Sequence, residues 1–214
     1  MIKVSFFIDG FNVYHSLNTF YTLPTNPQKR IFKYRKFLWL DFYTFAERFV
    51  RKYSDIHNVF YFTAHATWRP WAMKRHRLLI DALKNRGVKV ILGKFKEKDR
   101  YCTKCHQEYK GHEEKQTDVN IAVQLLKEAI LDSFDTAIIM TNDTDLIPAI
   151  KALKSIFPQK KVGVLFPLKR RSKELIKECD FYRYTKKQDY SKSQFPDTVT
   201  LPSGITLTRP SSWK

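Results

Sequence analysis

Short apolar runs alternate with stretches of helical periodicity along this chain, and that alternation restricts the fold more than any other feature. Residues 3–8, Ile56 to Ala64, Val88 to Phe95, Thr136 to Met140 and Lys161 to Phe166 have the length and the β-branched and aromatic content of buried strands, and Phe181 to Tyr184 forms a shorter sixth. Helical spacing fills the intervals: Phe11 to Phe20, Leu38 to Tyr53 (Leu38, Phe42, Phe45, Phe49), Trp71 to Arg86, Thr117 to about Phe134, 145–155, and Ser172 to Cys179. Pro70 suits a helix start and Gly87 a helix end. Pro148 belongs in a first turn, which starts the 145–155 helix near Asp145. Strands alternating with helices imply a parallel sheet covered on both faces. Right-handed crossovers then gather the strand C-termini on one edge.

That edge is where the chain places its acids. Phe7-Ile8-Asp9-Gly10-Phe11-Asn12 follows the first strand, and Met140-Thr141-Asn142-Asp143-Thr144-Asp145 follows the fourth. Asp118 opens the long helix after Glu113-Glu114-Lys115-Gln116-Thr117. If the first and fourth strands are neighbours, Asp9, Asn12, Asp118, Asp143 and Asp145 meet. Clustered carboxylates repel one another unless a cation lies among them. An all-oxygen donor set suits Mg²⁺ or Mn²⁺ better than Zn²⁺. The rival reading of Asp118 and Asp145 is helix capping, and of Asp9-Gly10 a plain turn. Neither Asp9 nor Asp143 has an evident capping partner in the sequence.

The charge balance narrows the partner. The chain has 214 residues, with 39 Lys and Arg against 21 Asp and Glu, a net charge of +18. Such an excess favours phosphate backbones or anionic membranes over neutral ligands, although solubility alone is a simpler account. No basic amphipathic helix with an exposed apolar face stands out, and no apolar run approaches the ~20 residues of a membrane span. Nucleic acid is therefore the preferred partner and a membrane is not expected. Hydrophobic content of 43% supports a packed core, one domain with perhaps a small appendage. Three cysteines and a start unlike a signal peptide lead to an expected cytoplasmic location.

The three motifs, in order, resemble those of NYN-domain proteins of the LabA-like branch, within the PIN-like nuclease superfamily. The residues that carry the likeness are Phe7 to Asn12, Glu114 to Val119, and Thr141 to Leu146, with a weaker fourth segment at Phe166-Pro167, Arg170-Arg171-Ser172 and Leu175. Asn142 stands where many members have glycine. The resemblance covers residues 2–185. It implies an α/β/α sandwich around a mostly parallel sheet, and a Mg²⁺- or Mn²⁺-dependent endonuclease acting on RNA. It also implies Asp9, Asp118 and Asp143 as the metal-binding core, Asn12 as an orienting group and Asp145 as a further ligand or supporting residue. A water activated at the ion would cleave the phosphodiester to leave a 5′-phosphate and a 3′-hydroxyl. Two other readings stay open: a non-catalytic RNA-binding or regulatory module, and a metal-dependent phosphohydrolase acting on small phosphate esters.

Residues 96–114 are polar and contain Cys102-Thr103-Lys104-Cys105, His106 and His112. Two thiolates at that spacing can grip a structural Zn²⁺, with Cys102, Cys105 and His112 as ligands and His106 as a possible fourth. Two free thiols in a mobile loop are the alternative. Cys179, at a helix end, reads as core. Lys115, one turn before Asp118, can contact phosphate or pair with a carboxylate. Arg170 and Arg171 lie beyond the fifth strand on the acidic edge and are expected phosphate contacts. Lys29, Arg30, Lys33, Arg35 and Lys36 form a basic, aromatic-laced loop over 21–37. Lys74 to Arg77 reads as a solvated helix face, and Trp68 and Trp71 as core. The organisation expected is a domain over 1–185 with the 96–114 insert, followed at 186–214 by a Ser-, Thr- and Pro-rich tail or small hairpin around Pro202-Ser203-Gly204. No residue pattern sets an oligomeric state, a homodimer included.

Overall fold

A computed structural model of the chain describes residues 1–50, 52 and 54–214. In order, the elements are β1 (Ile2–Asp9), α1 (Gly10–Leu17), β2 (Tyr21–Leu23), β3 (Asn26–Ile31), α2 (Phe42–Glu47), β4 (Ser54–Thr63), α3 (Pro70–Asn85), β5 (Lys89–Leu92), β6 (Lys94–Tyr101), β7 (Glu108–Lys115), α4 (Thr117–Ile130), β8 (Thr136–Met140), α5 (Ile147–Ile156), β9 (Lys161–Phe166), α6 (Lys173–Glu178), β10 (Phe181–Tyr184), α7 (Lys187–Ser191), β11 (Thr198–Thr200) and β12 (Thr206–Thr208).

Among the described residues six strands form the main sheet, in the order β10-β9-β8-β1-β4-β5, with every pairing parallel. The chain runs outward from β1 through β4 to β5. It then returns to the other side of β1 as β8 and runs out through β9 to β10. The winding direction thus reverses between β1 and β8, and a crevice opens there at the strand C-termini. Ile8 is paired with Met140, so Asp9 and Thr141 leave the sheet side by side.

The period of two in β1 explains why helices cover both faces. Val4, Phe6 and Ile8 pack with Val13 and Leu17 of α1, Phe42 and Phe45 of α2, and Leu79 and Leu83 of α3. Phe7 faces the other way, among Phe60, Phe62, Ile121 and Leu125 of α4, and Ile150 and Leu153 of α5. Phe7 stacks on Phe60 with ring centroids 5.2 Å apart. Each fully buried phenylalanine of this kind contributes about 1.5–3 kcal/mol from burial alone. No helix of the described residues is long and apolar enough to cross a membrane.

Three local expectations fail, the first for a tertiary reason. The helix predicted from Leu38 shrinks to Phe42–Glu47, and its predicted end at Tyr53 lies outside the described residues. Residues before it are drawn into contact with the C-terminal segment: Trp39 Nε1 donates to the Pro196 carbonyl (2.8 Å), and Asp41 N donates to that of Ser193 (2.9 Å). Asp41 then caps α2, accepting from the N–H groups of Tyr43 and Thr44. The basic loop over 21–37 folds back as the β2–β3 hairpin. Trp71 is not core; it is 77% exposed on α3. The tail hairpin forms as β11–β12 with Gly204 at φ 83°, and Trp213 packs 6.4 Å from Trp39.

Gly10, where β1 passes into α1, is held tightly from the β4 side. A Cβ there would lie 2.6 Å from the Phe62 carbonyl oxygen and 2.7 Å from the Tyr61 ring. Backbone cannot yield as a flexible side chain does. Gly10→Ala should therefore cost about 1–3 kcal/mol. Urea unfolding should show a lower midpoint with an unchanged slope; an unchanged midpoint would refute the tight contact.

Candidate functional site

The site grows from the first residues beyond β1 and β8. Asp9 is almost fully buried and is the N-cap of α1, its Oδ1 accepting from the Asn12 backbone N–H (3.0 Å). Its Oδ2 accepts from the Thr141 hydroxyl (2.9 Å) and from the Asn12 side-chain amide. Asn12 also reaches across the crevice, its Oδ1 accepting from Asn142 N (3.3 Å). Thr141 closes the loop by accepting from Asp143 N (3.0 Å). Asp143 in turn caps the short 3-10 turn Thr144–Leu146, accepting from Asp145 N (3.0 Å). The expectation that Asp9 and Asp143 lack capping partners is therefore wrong. Capping occupies Oδ1 in each case, and three of the roughly four lone-pair directions of Asp9 are used.

The third acidic segment arrives from β7. Asp118 lies in the first turn of α4, whose N-cap, Gln116, adopts the left-handed region at φ 79°. Such a φ is uncommon outside glycine, and strained junctions gather at functional sites. Gly93 makes the approach feasible: a Cβ there would meet the Lys115 carbonyl at 2.8 Å and the Thr117 hydroxyl at 3.0 Å. Glu114 accepts from Thr117 N (3.1 Å) and from the Thr117 hydroxyl.

These carboxylates feel one another. Burial pushes the Asp118 carboxyl up to about 6, with the charges of Asp143, Asp9 and Asp145 adding to it. Burial also raises Asp9, against its hydrogen bonds from Asn12 and Thr141 and with help from Asp143. Glu114 is raised by burial and by Asp118 and Asp143, against its bonds from Thr117. Among the described residues no Lys, Arg or His forms an ion pair with Asp9, Glu114, Asp118, Asp143 or Asp145. The three sequence segments thus share one field. Among the described residues no three His, Cys, Asp or Glu side chains stand in the mutual positions of a closed metal site. Mg²⁺ asks for less, because it is commonly held by one or two carboxylates with water and substrate phosphate supplying the rest. The oxygen-only, unneutralised donor set fits that ion.

Sequence reasoning passes over Glu114 and Thr141. A carboxylate three residues before a threonine at a helix start is the signal for Glu114, and a hydroxyl at a strand end for Thr141. Lys115 sets its ammonium against Glu113 (3.2 Å). Arg170 is exposed at the same sheet edge, and its charge helps lower the His15 imidazole, for which burial is the larger cause. Arg171 is exposed beside it.

The expected zinc set is not assembled. Residues 94–115 form the antiparallel β6–β7 hairpin, with Tyr101 opposite Glu108 at its tip and His112 opposite Glu97. His112 is therefore about 13 Å along the strand from the tip. Its ring lies flat on Trp68 (3.7 Å between centroids, 13° between planes). Cys102, Cys105 and His106 stay at the tip, where the Cys105 backbone N–H holds the Cys102 thiol below its usual range and His106 bonds the Tyr101 hydroxyl (2.8 Å). The cause of the miss is register: strand pairing carries His112 away from the cysteines. Cys179 ends α6 among apolar neighbours, and burial raises its thiol to about 11.

The six-stranded parallel sheet flanked by helices, with carboxylates at its switch point, has the architecture of the PIN-like class. The NYN domain model matches residues 3–187, nearly the whole chain, and the chain belongs to that family. A protein of unknown function from Vibrio parahaemolyticus has the same fold: TM-score 0.52 at 17% identity, covering 86% of this chain and 93% of that one. The chain is also 31% identical over 106 residues to 6-hydroxy-3-succinoylpyridine 3-monooxygenase HspA of Pseudomonas putida, covering 47% of this chain and 33% of that protein. The chain thus spans about a third of the length of this curated relative.

The Asp118 shift has a stability consequence. The unfolded carboxyl titrates near 3.8 and the folded one near 6, so the folded state holds the proton more tightly. The contribution is full below about pH 4 and is lost as pH rises through about 6. In metal-free protein, Asp118→Asn should raise Tm at pH 7.5 by roughly 2 °C, a small gain because the group is half exposed and screened. At pH 3.5 the gain should vanish. Thermal melts at the two pH values test this; an equal shift at both would refute the charge repulsion.

Proposed function

We propose that the protein is a metal-dependent ribonuclease, an endonuclease that hydrolyses RNA phosphodiester bonds at the β1–β8 crevice. The observation that carries this reading is a group of carboxylates with no ion pair among the described residues, gathered at one sheet edge of a chain with net charge +18. Cations are abundant in this protein, yet among the described residues none pairs with those carboxylates. Asp9, Asp118 and Asp143 are the residues to hold Mg²⁺ or Mn²⁺, with Asp145 and Glu114 beside them. When bound, such an ion supplies charge neutralisation at the phosphate and a more acidic water.

The chain's own groups do the rest. Thr141 and Asn12 fix the Asp9 carboxylate so that it needs no reorganisation when charge develops. Asp118, half exposed beside Asp9 and Asp143, is placed to orient an attacking water as well as to hold the ion. Arg170 and Arg171 offer guanidinium groups to the strand's phosphates at the rim. The NYN family membership supports the nuclease class, and RNA as substrate follows from the same resemblance.

End-labelled RNA incubated with the purified protein and Mn²⁺ should be cut internally, leaving 5′-phosphate ends. Asp9→Asn should lower the rate at least about 100-fold with secondary structure unchanged. Replacing Arg170 and Arg171 together by alanine should raise KM more than it lowers kcat. RNA binding without cutting would establish the binding module instead, and turnover of small phosphate esters alone would establish the phosphohydrolase.

A further inference from the structure

A cavity of about 290 Å³ opens on the β4 side of the β1–α1 junction, next to the acidic edge but outside it. Its lining includes Gly10 and Phe11, directly after Asp9, together with Tyr61, Thr63 and residues of α3 and of the β6–β7 hairpin. The adjacency is also electrostatic: Tyr61 senses the Asp9 charge, and His15, another lining residue, senses Arg170. The cavity and the carboxylates therefore flank the same turn.

One wall is a run of aromatic rings. Phe11 lies 5.3 Å from Phe95, Trp68 meets Phe95 edge-on at 4.5 Å, and His112 lies flat on Trp68. Aromatic faces of this kind take planar heterocycles by stacking, with little regard for which base is offered. The other feature is cationic. Arg35 and Arg75 both line the cavity, and the Nε–H of each is buried with no hydrogen-bond partner in the protein. Neither is ion-paired among the described residues; Arg35 instead lies over the Phe32 ring, 4.7 Å from its centroid. The solvated-face reading of Lys74 to Arg77 holds for Lys74 and Arg77 but not for Arg75 or His76, whose Nε2 bonds Thr63 (3.2 Å). Two arginines with an unpartnered Nε–H beside an aromatic wall suit a ligand that is planar and unsaturated at one end and anionic at the other.

We infer that this cavity receives one nucleotide unit, its base against the Phe11–Phe95–Trp68 wall and its phosphate on Arg35 and Arg75. The inference rests on the nuclease reading for the source of that unit, a nucleotide of the bound RNA beside the scissile bond. The volume admits one such unit and not a stack of several. Recognition here would favour cleavage next to an unpaired base, because a base inside a duplex enters only after its unstacking and unpairing, which cost free energy.

Isothermal titration of the full chain in EDTA tests the site without the acidic cluster's ion. The probes are the four ribonucleoside 5′-monophosphates, the matching nucleosides, inorganic phosphate, and pyridine-3-carboxylate as a free heteroaromatic acid. At least one monophosphate should bind saturably, and at least tenfold more tightly than inorganic phosphate. Arg75→Met should weaken the monophosphate at least tenfold and the nucleoside less than twofold. Ala72→Phe, which fills the cavity from α3, should weaken both; should that variant fail to fold, Arg75→Met decides alone. Phosphate binding as tightly as every nucleotide, pyridine-3-carboxylate binding more tightly than all of them, indifference to Arg75→Met, or no saturable binding would each overturn the inference. The two proposals fail separately. Nucleotide binding in a protein that never cuts RNA removes the nuclease and leaves the cavity. Asp9-dependent cutting by a protein that binds no mononucleotide does the reverse.

Discussion

The parallel pairing of β1 with β8 is the constraint on which the site depends. These strands are 127 or more positions apart in sequence, yet Ile8 lies beside Met140, and the next residue of each strand contributes to one hydrogen bond, Thr141 hydroxyl to Asp9 carboxylate at 2.9 Å. Without that register Asp9 would be an ordinary helix cap and Asp143 an ordinary turn residue, each serving its own segment. With it, both capping groups become parts of one acidic edge. The pairing is driven by neither acid. It follows from Phe6, Phe7 and Ile8, which are buried on both faces of a central strand and admit no slip without turning apolar side chains outward.

The edge is costly, and the surroundings show how the cost is met. Burial works against every carboxylate there, and each neighbour adds repulsion, which is why Asp118, Asp9 and Glu114 are all raised. Asp9 is the most deeply placed and receives the most donors, from Asn12 twice and from Thr141. Asp118 has no such set of bonds among the described residues and keeps a half-exposed carboxyl. The difference is one of setting: Asp9 is buried and held in place by its donors, whereas Asp118 is half exposed and raised with few bonds to hold it. The backbone shares the burden, since Gln116 adopts φ 79° to bring Glu114 and Asp118 to the edge together.

Much of this was legible in the residues because short-range rules and core patterning agree. The β1 strand, the α3 helix between Pro70 and Gly87, and the α5 start after Asp145 are set by apolar period, proline and glycine, and the structure keeps them. Asp9, Asn12, Asp143 and Asp145 are visible as acids and amides at strand ends. What local rules miss is whatever a distant segment decides. Leu38 to Leu40 have helical spacing, but backbone groups at Trp39 and Asp41 are taken by Phe195 and Ser193. The Cys-x-x-Cys spacing suggests a zinc knuckle, but eight residue pairs of β6–β7 register put His112 on Trp68. Glu114 is passed over because its spacing to Thr117 marks a helix start and nothing more; its place at the edge depends on the left-handed turn at Gln116.

The distribution of charge gives the architecture a direction. Ion pairs among the described residues are spread over the hairpin, the α5–α6 side and the tail, where lysines and arginines find Glu97, Asp99, Glu178, Asp180 and Asp197. The site carboxylates take no part in this. A polyanion approaching the chain would be drawn by the excess of cations, Arg170 and Arg171 at the rim included, and opposed at the crevice by Asp9, Asp118 and Asp143. The opposition is also selective. On the proposed reading, a phosphodiester would reach the crevice only with positive charge between it and the carboxylates, so binding of the strand and of the ion would be linked by electrostatics. A basic protein that kept its acidic edge neutral by internal ion pairs would attract a polyanion as readily, but would have no unneutralised carboxylates at the centre to hold a cation.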